Sequence, residues 1–411
     1  MFRQRGATVS DAPAPKPDKT VALLRRLASA VDVPGECLLP SGEVVRFGVG
    51  APTFRVAIKS SRALRRGLDE FALGQAYVNG DVDIDGDMLA LLDIRTQLRH
   101  RLQLPLFFRF WTQLLLRSPA RVNRPAVQDH YGLGDDFYLS FLDSKYRLYS
   151  HGLFQTDDDT LEQASEHKLA TMFGALQLRP GMRLLDVGGG WGGVTQYCAP
   201  RGVHVTTVTL ADDSYAYVRN LLRDLQLDGE VYHEDFLLHR PSKPYDAIVI
   251  CGVIEHIPNY QRFCGQAWEC LKPAGLMYLD ASASKEKYDM SAFTRHYIWH
   301  GTHTFMALQD VVEELLYHGF ELLEVRRESH DYELTIHHWA RRFDAHRDMI
   351  VERWGPALYR AFRMYLWAGC HAFVRDQLQA YHVIVRRNAD AGPRPGVARR
   401  TMSFVRGLAQ R

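Results

Sequence analysis

The chain has no CxxC motif, and its six cysteines (Cys37, Cys198, Cys251, Cys264, Cys270 and Cys370) show no framework of pairs. That excludes a disulfide scaffold and the usual cysteine-based metal sites, and points to a reduced, intracellular protein. No run approaches the ~18 apolar residues of a spanning helix, so any meeting with a membrane is from its surface. The polar, Pro-rich start, "MFRQRGATVSDAPAPKPDKT", lacks the apolar centre of a signal peptide. An excess of charge is missing too. Fifty Lys and Arg stand against 48 Asp and Glu, for a net charge of +2, which argues against nucleic acid as a partner. What is present is a hydrophobic content of 46% over 411 residues, enough for a full core and for more than one domain.

Residues 1–20 read as a disordered tail. Residues 21–120 read as a smaller α+β domain, with alternation in "FRVAIKS" and turn signals at Asn79-Gly80 and Asp85-Gly86. Near its end, Leu106 to Arg117 is apolar and aromatic and carries Arg109 and Arg117. This segment is either a helix lying in a membrane interface or one packing domain on domain. Residues 121–390 form the main domain, and 391–411 a basic tail. Within the main domain, "MRLLDVGGG", "HVTTVTLADD", "YDAIVICGV" and "AGLMYLDAS" read as buried strands separated by helical stretches. That rhythm specifies a doubly wound, Rossmann-like α/β sheet, followed by helical additions from Thr335 onward.

In "LLDVGGGWGG", Leu184 to Gly193, glycines at 188, 190 and 193 fit a dinucleotide fingerprint. Asp186 fits another ligand. A carboxylate there disfavours a pyrophosphate but suits the ammonium of S-adenosylmethionine (SAM), which has no phosphate. Asp235 in "HEDFLL" is placed to accept from an adenine amino group, with Phe236 stacking on the ring. The later strands follow at the spacing of a class I methyltransferase. A nicotinamide enzyme would want an acid after the second strand, where Asp212 and Asp213 stand, so that alternative stays open.

"QDHYGLGDDFYLSFLDSKYRLYS" (Gln128–Ser150) resembles the "HYDxGNDFYxxxLDxxMxYS" segment of the cyclopropane-fatty-acid synthase family. The likeness continues through "VIEHI" (family "FEH"), "HYIWHG" ("KYIFPG") and "DYELTIHHWARRF" ("HYxxTLxxWxxRF"), and covers about Leu64 to Arg387 in order. It implies a SAM-dependent enzyme that methylates a cis double bond of an acyl chain, often within a membrane phospholipid. Peripheral attachment to the inner face of the membrane and a homodimer are the corresponding expectations. The implied cofactor residues are Tyr149, Ser150, Asp186, Gly188, Gly189, Gly190, Thr209, Ser214, Asp235, Phe236 and Gly252, with Ser214 in place of a ribose-binding Gln.

In the family a bound bicarbonate is the base, held by a Cys, a Glu, a His and a Tyr. Glu255 and Tyr332 match; the Cys position holds His151 and the strand His position holds Asp280. Asp280 would repel bicarbonate, which makes that anion doubtful. His151, paired with Asp280 or Glu255, is a candidate base in its place. His296, His300 and His303 have a helical spacing that could suit a metal, but Gly301 breaks the helix, so no metal is assigned. Tyr131, Phe137, Tyr149, Tyr297, Trp299 and Phe305 either line an acyl tunnel or belong to the core. Two other functions compete: methylation of a small amine or other metabolite, and a non-catalytic lipid-binding relative.

Overall fold

The computed structural model describes residues 19–60, 70–98, 133–287, 290–299 and 303–389. The Leu106–Arg117 segment, Arg99, Arg101, Tyr131, His300 and the basic tail lie outside them. The chain divides into two compact units, Met1–Gln103 and Leu104–Arg411.

The described residues of the first unit form helices α1 (Lys19–Ala28), α2 (Glu70–Val78) and α3 (Met88–Leu98). Its strands β1 (Gly35–Leu38), β2 (Val44–Phe47), β3 (Phe54–Ile58) and β4 (Val82–Gly86) form one sheet in the order β2-β1-β3-β4. The β1–β3 pair is parallel and the others antiparallel. Leu24, Val31, Cys37, Val45, Phe47, Ile58 and Ala76 make its core. This is the small α+β unit expected from the alternating pattern, and the Asp85-Gly86 turn signal falls at the end of β4.

The second unit is built on seven strands: β5 (Arg183–Val187), β6 (His204–Thr209), β7 (Gly229–His233), β8 (Tyr245–Cys251), β9 (Leu271–Ala283), β10 (Phe320–Arg327) and β11 (Gln379–Arg387). Their order is β10-β11-β9-β8-β5-β6-β7. Strands β5 to β9 pair in parallel, and β11 runs antiparallel between β9 and β10. The strand order reverses between β5 and β8, the place where doubly wound sheets open a crevice at their carboxyl ends. Parallel strands covered on both faces read as near-continuous apolar runs; "AIVI" is one, and "LLDV" is broken only by Asp186.

The covering helices are α5 (Leu161–Ala175), α6 (Gly193–Cys198), α7 (Asp212–Asp224), α8 (Tyr260–Cys270) and α10 (Leu308–Tyr317), with short α4 (Asp135–Leu139) and α9 (Ala292–Tyr297). Thr160 and Gln163 close a capping box at the start of α5, satisfying donors that the first turn would otherwise leave unpaired. After β10 come α11 (Ser329–Ala345), α12 (Arg347–Trp354) and α13 (Pro356–Val374), the expected helical addition. Phe137 is fully buried against them, 4.7 Å from Phe362 and 5.8 Å from Phe343 between ring centroids. It is therefore core and not tunnel wall.

Candidate active site

Strand β5 delivers Asp186 to its carboxyl end and runs into Gly188, Gly189 and Gly190, whose φ values of 97°, 55° and 48° are all left-handed. Only glycine takes three such residues in succession without strain. A Cβ at Gly188 would stand 2.3 Å from Val253, and one at Gly189 2.2 Å from Thr207, whereas one at Gly190 would enter open space. That space is a cleft of about 1160 Å³. Every residue assigned to the cofactor lines it: Tyr149, Ser150, Asp186, Gly188, Gly189, Gly190, Thr209, Ser214, Asp235, Phe236 and Gly252.

The contacts inside the cleft refine several roles. Ser214 donates from Oγ to the Gly190 carbonyl at 2.6 Å, so it braces the glycine turn. Asp235 accepts from the Leu237 amide at 2.9 Å, and the Phe236 ring packs in the core against Phe263 at 5.9 Å. Phe236 thus borders both the core and the cleft. Asp212 pairs with His233 at 3.1 Å and Asp213 accepts from the Gly134 amide at 3.2 Å. Neither lines the cleft, so the acids a nicotinamide enzyme would use on ribose are committed elsewhere.

Asp186 is the charged group of this cleft most in need of a partner. It is buried, among the described residues it accepts a hydrogen bond from the Thr207 hydroxyl at 3.5 Å, and burial pushes its carboxyl up to about 7. An ammonium beside it would repair that deficit, so the cleft fits the amino end of SAM.

Behind the cleft lies a buried polar group. Glu255, in the short turn after β8, accepts from the Ser282 amide (3.0 Å) and hydroxyl (2.8 Å) through Oε1. Its Oε2 has no hydrogen-bond partner among the described residues. Burial raises its carboxyl to about 7. His151 is fully buried and stacks on Tyr332 with centroids 4.9 Å apart. Its Nε2 lies 2.7 Å from Glu328 Oε2, while its Nδ1 is 3.9 Å from Asp280 Oδ1, too far for a hydrogen bond. The carboxylate expected for His151 was Asp280 or Glu255; the direct hydrogen bond goes to Glu328, just ahead of α11. Asp280 is held instead by Lys168 of α5 at 2.9 Å.

Lys168 also donates to Ser150 Oγ and to the His151 carbonyl, both at 2.8 Å. Burial works against its charge, but Asp280 outweighs burial and raises its pKa. These contacts bear on the bicarbonate of the resemblance. An anion between His151 and Asp280 would meet a carboxylate, and Lys168, the cation that could offset it, is already engaged by Ser150, the His151 carbonyl and Asp280. The residues present do not accommodate the anion.

No group of three metal-ligating side chains occurs among the described residues. His303 stacks on Trp299 at 4.3 Å and faces His256.

The family model described as mycolic acid cyclopropane synthetase matches residues 119–383. The chain belongs to this family. Its Rossmann-like unit is that of a SAM-dependent methyltransferase. A sphingolipid C9-methyltransferase of Candida albicans is 26% identical over 77% of this chain and 66% of its own length. The match thus spans just under two thirds of that relative. The cyclopropane-fatty-acyl-phospholipid synthase of Escherichia coli K12 is 28% identical over 84% of this chain and 91% of its own. Among solved structures, the mycolic acid cyclopropane synthase CmaA1 complexed with SAH and CTAB superposes with a TM-score of 0.60 at 26% identity, over 64% of this chain and 98% of that one.

Against the cyclopropane synthetase segment "LDxxMxYS", this chain has one residue more between its Leu-Asp and Tyr-Ser pairs. Arg147 lies there with a left-handed φ of 57°. It lines the cleft and packs over Tyr217, so the extra residue is absorbed at the cofactor's edge.

Proposed function

We propose that this protein is a SAM-dependent C-methyltransferase acting on the double bond of an unsaturated acyl chain, carried in a phospholipid and met at a membrane surface. One observation carries the reading: the buried Glu255 carboxylate, with one oxygen fixed by Ser282 and the other unpartnered. An amine brings its own lone pair and loses its proton to water. An alkene, once methylated, is a carbocation that must lose a proton from carbon while shielded from water. That chemistry needs a base inside the protein, and a carboxyl near 7 suits the task.

Bound in the cleft, SAM supplies a methyl group activated by a sulfonium. Asp186 holds its ammonium, and the glycine turn leaves room for its backbone approach. Glu255 or His151 takes the one proton released, and Tyr332 orients the His151 ring. The relatives, a sphingolipid C9-methyltransferase and a cyclopropane-fatty-acyl-phospholipid synthase, support a lipid substrate. Among the described residues no helix is long and apolar enough to cross a membrane, in keeping with a surface encounter.

With His151 and Asp280 standing where the resemblance places Cys and His, the base differs from a bound anion. The product that follows is mainly a methyl-branched alkene, from proton loss at a neighbouring chain carbon. The test uses labelled-methyl SAM, purified protein and vesicles of mixed unsaturated phospholipids, with products read by NMR. Glu255→Gln should lower turnover about a hundredfold or more while SAM still binds. Cyclopropane methylene protons as the main signal, dependent on added bicarbonate, would overturn the product assignment. Methylation of a water-soluble amine, with none on vesicles, would overturn the substrate.

A further inference from the structure

His151 does not end at Glu328. The other oxygen of Glu328, Oε1, lies 2.6 Å from His382 Nδ1 on β11. The far nitrogen of that ring, Nε2, lies 3.3 Å from Glu324 Oε1 on β10. The side chains of His151 and Glu328 are 0% exposed and that of His382 is 1% exposed, whereas that of Glu324 is 51% exposed. Imidazole and carboxylate thus alternate at hydrogen-bond distance from the buried site to solvent. At the inner end, His151 Nδ1 is buried and has no hydrogen-bond partner among the described residues.

The sheet is bent to make this line. Cys251, Asp280 and His382 are register partners across β8, β9 and β11, and so share one face. On β10, Leu322 pairs with Val385 and Glu324 with Ile384, leaving Leu323 as an extra residue. Such a bulge turns the residues after it to the opposite face. Without it, Glu324 would point with Val383 and Val385 into the other core. With it, Glu324 stands on the face of Ile384 and His382. Glu328 is held ionised: burial opposes its charge, but the hydrogen bonds from both imidazoles outweigh burial.

We propose that His151, Glu328, His382 and Glu324 form a proton exit from the methylation site. The inference rests on the alkene reaction proposed above, which releases one proton per turnover where water is excluded. A C–H bond on a chain carbon next to the cation breaks, its electron pair forms the new carbon–carbon double bond, and its proton goes to His151 Nδ1. The Nε2 proton of His151 passes to Glu328, and His382, doubly protonated between Glu328 and Glu324, keeps its Nδ1 proton and releases its Nε2 proton through Glu324 to solvent. The charge of the chain of residues is the same before and after. Glu328 and His382 are positioning and relay groups here; neither needs to touch the lipid.

The exposed end gives the test, because Glu324→Ala leaves the interior intact. At low buffer concentration its turnover should fall about tenfold, with KM and SAM affinity unchanged, and added imidazole should restore it. A merely structural loss would not be restored by buffer. A second measurement is independent of substrate: exchange of the His151 and His382 ring protons with water, followed by nitrogen-15 NMR, should slow about fivefold or more in Glu324→Ala and further in Glu328→Gln. Unchanged turnover at low buffer, or unchanged exchange, overturns the relay. Wild-type protein that methylates no acyl lipid, yet shows slowed exchange in Glu324→Ala, overturns the alkene reaction and leaves the proton path standing.

Discussion

Asp186 makes cofactor binding a function of pH, and the size of the effect follows from its surroundings. Burial raises its carboxyl to about 7, against about 3.9 in an unfolded chain. A carboxyl raised in this way contributes stability that is full below about pH 4 and is lost as pH rises through 7. An ammonium beside Asp186 favours the charged form, so SAM should bind the ionised protein. At pH 7 about half of the free protein is ionised at this site, and at pH 5.5 only about 3%. The SAM dissociation constant should therefore rise about fifteenfold between pH 7 and 5.5, equivalent to about 1.6 kcal/mol. The amino group of SAM stays protonated over this range, since α-amino groups titrate near 7.7. Isothermal titration at several pH values measures the slope, and buffers of different ionisation enthalpy count the proton released. Asp186→Asn should bind weakly at both pH values with no slope. Glu255→Gln, whose carboxyl also stands near 7 but does not line the cleft, should keep the slope. A flat wild-type profile, or a slope that survives in Asp186→Asn, would refute the assignment of Asp186 to the ammonium.

Two further substitutions probe the site from its two sides. Gly190→Val should cost the fold only about 1–2 kcal/mol for its left-handed backbone, since its Cβ enters open space, yet should abolish measurable SAM binding; unchanged affinity would sink the placement of the cofactor. Lys168→Met should cost about 3–5 kcal/mol in urea unfolding by stranding the Asp280 carboxylate, and the double variant with Asp280→Leu should recover a good part of that; strictly additive losses would show that the ion pair is not the source.

The centre of the proposed cofactor site was legible because it is local in sequence. Asp186 and the glycine turn sit within one strand and its loop, and buried parallel strands announce themselves as apolar runs. In the base half the resemblance supplied Glu255, Tyr332, His151 and Asp280, but not their partners Glu328 and Lys168, which meet them only on folding. Glu328 ends one element and begins another, which reads as a helix boundary, and 177 positions separate it from His151. Lys168 in "SEHKLATM" reads as the wet side of a helix, yet it is 1% exposed. One sign was available. In "FELLEVRR" the doubled Leu322-Leu323 breaks the alternation of a strand, and that break is the bulge that turns Glu324 toward His382.

Strand β11, the last in sequence, is not the last in space. It enters between β9 and β10, and through His382 it brings Glu328 its second partner. During synthesis β9 is complete at Ala283 and β10 at Arg327, and each waits with an open edge until Gln379–Arg387 has left the ribosome. The nascent chain therefore carries two unpaired strand edges through the making of α11, α12 and α13. A message cut short before β11 leaves those edges open to other chains, and the buried Glu328 carboxylate is left with His151 alone.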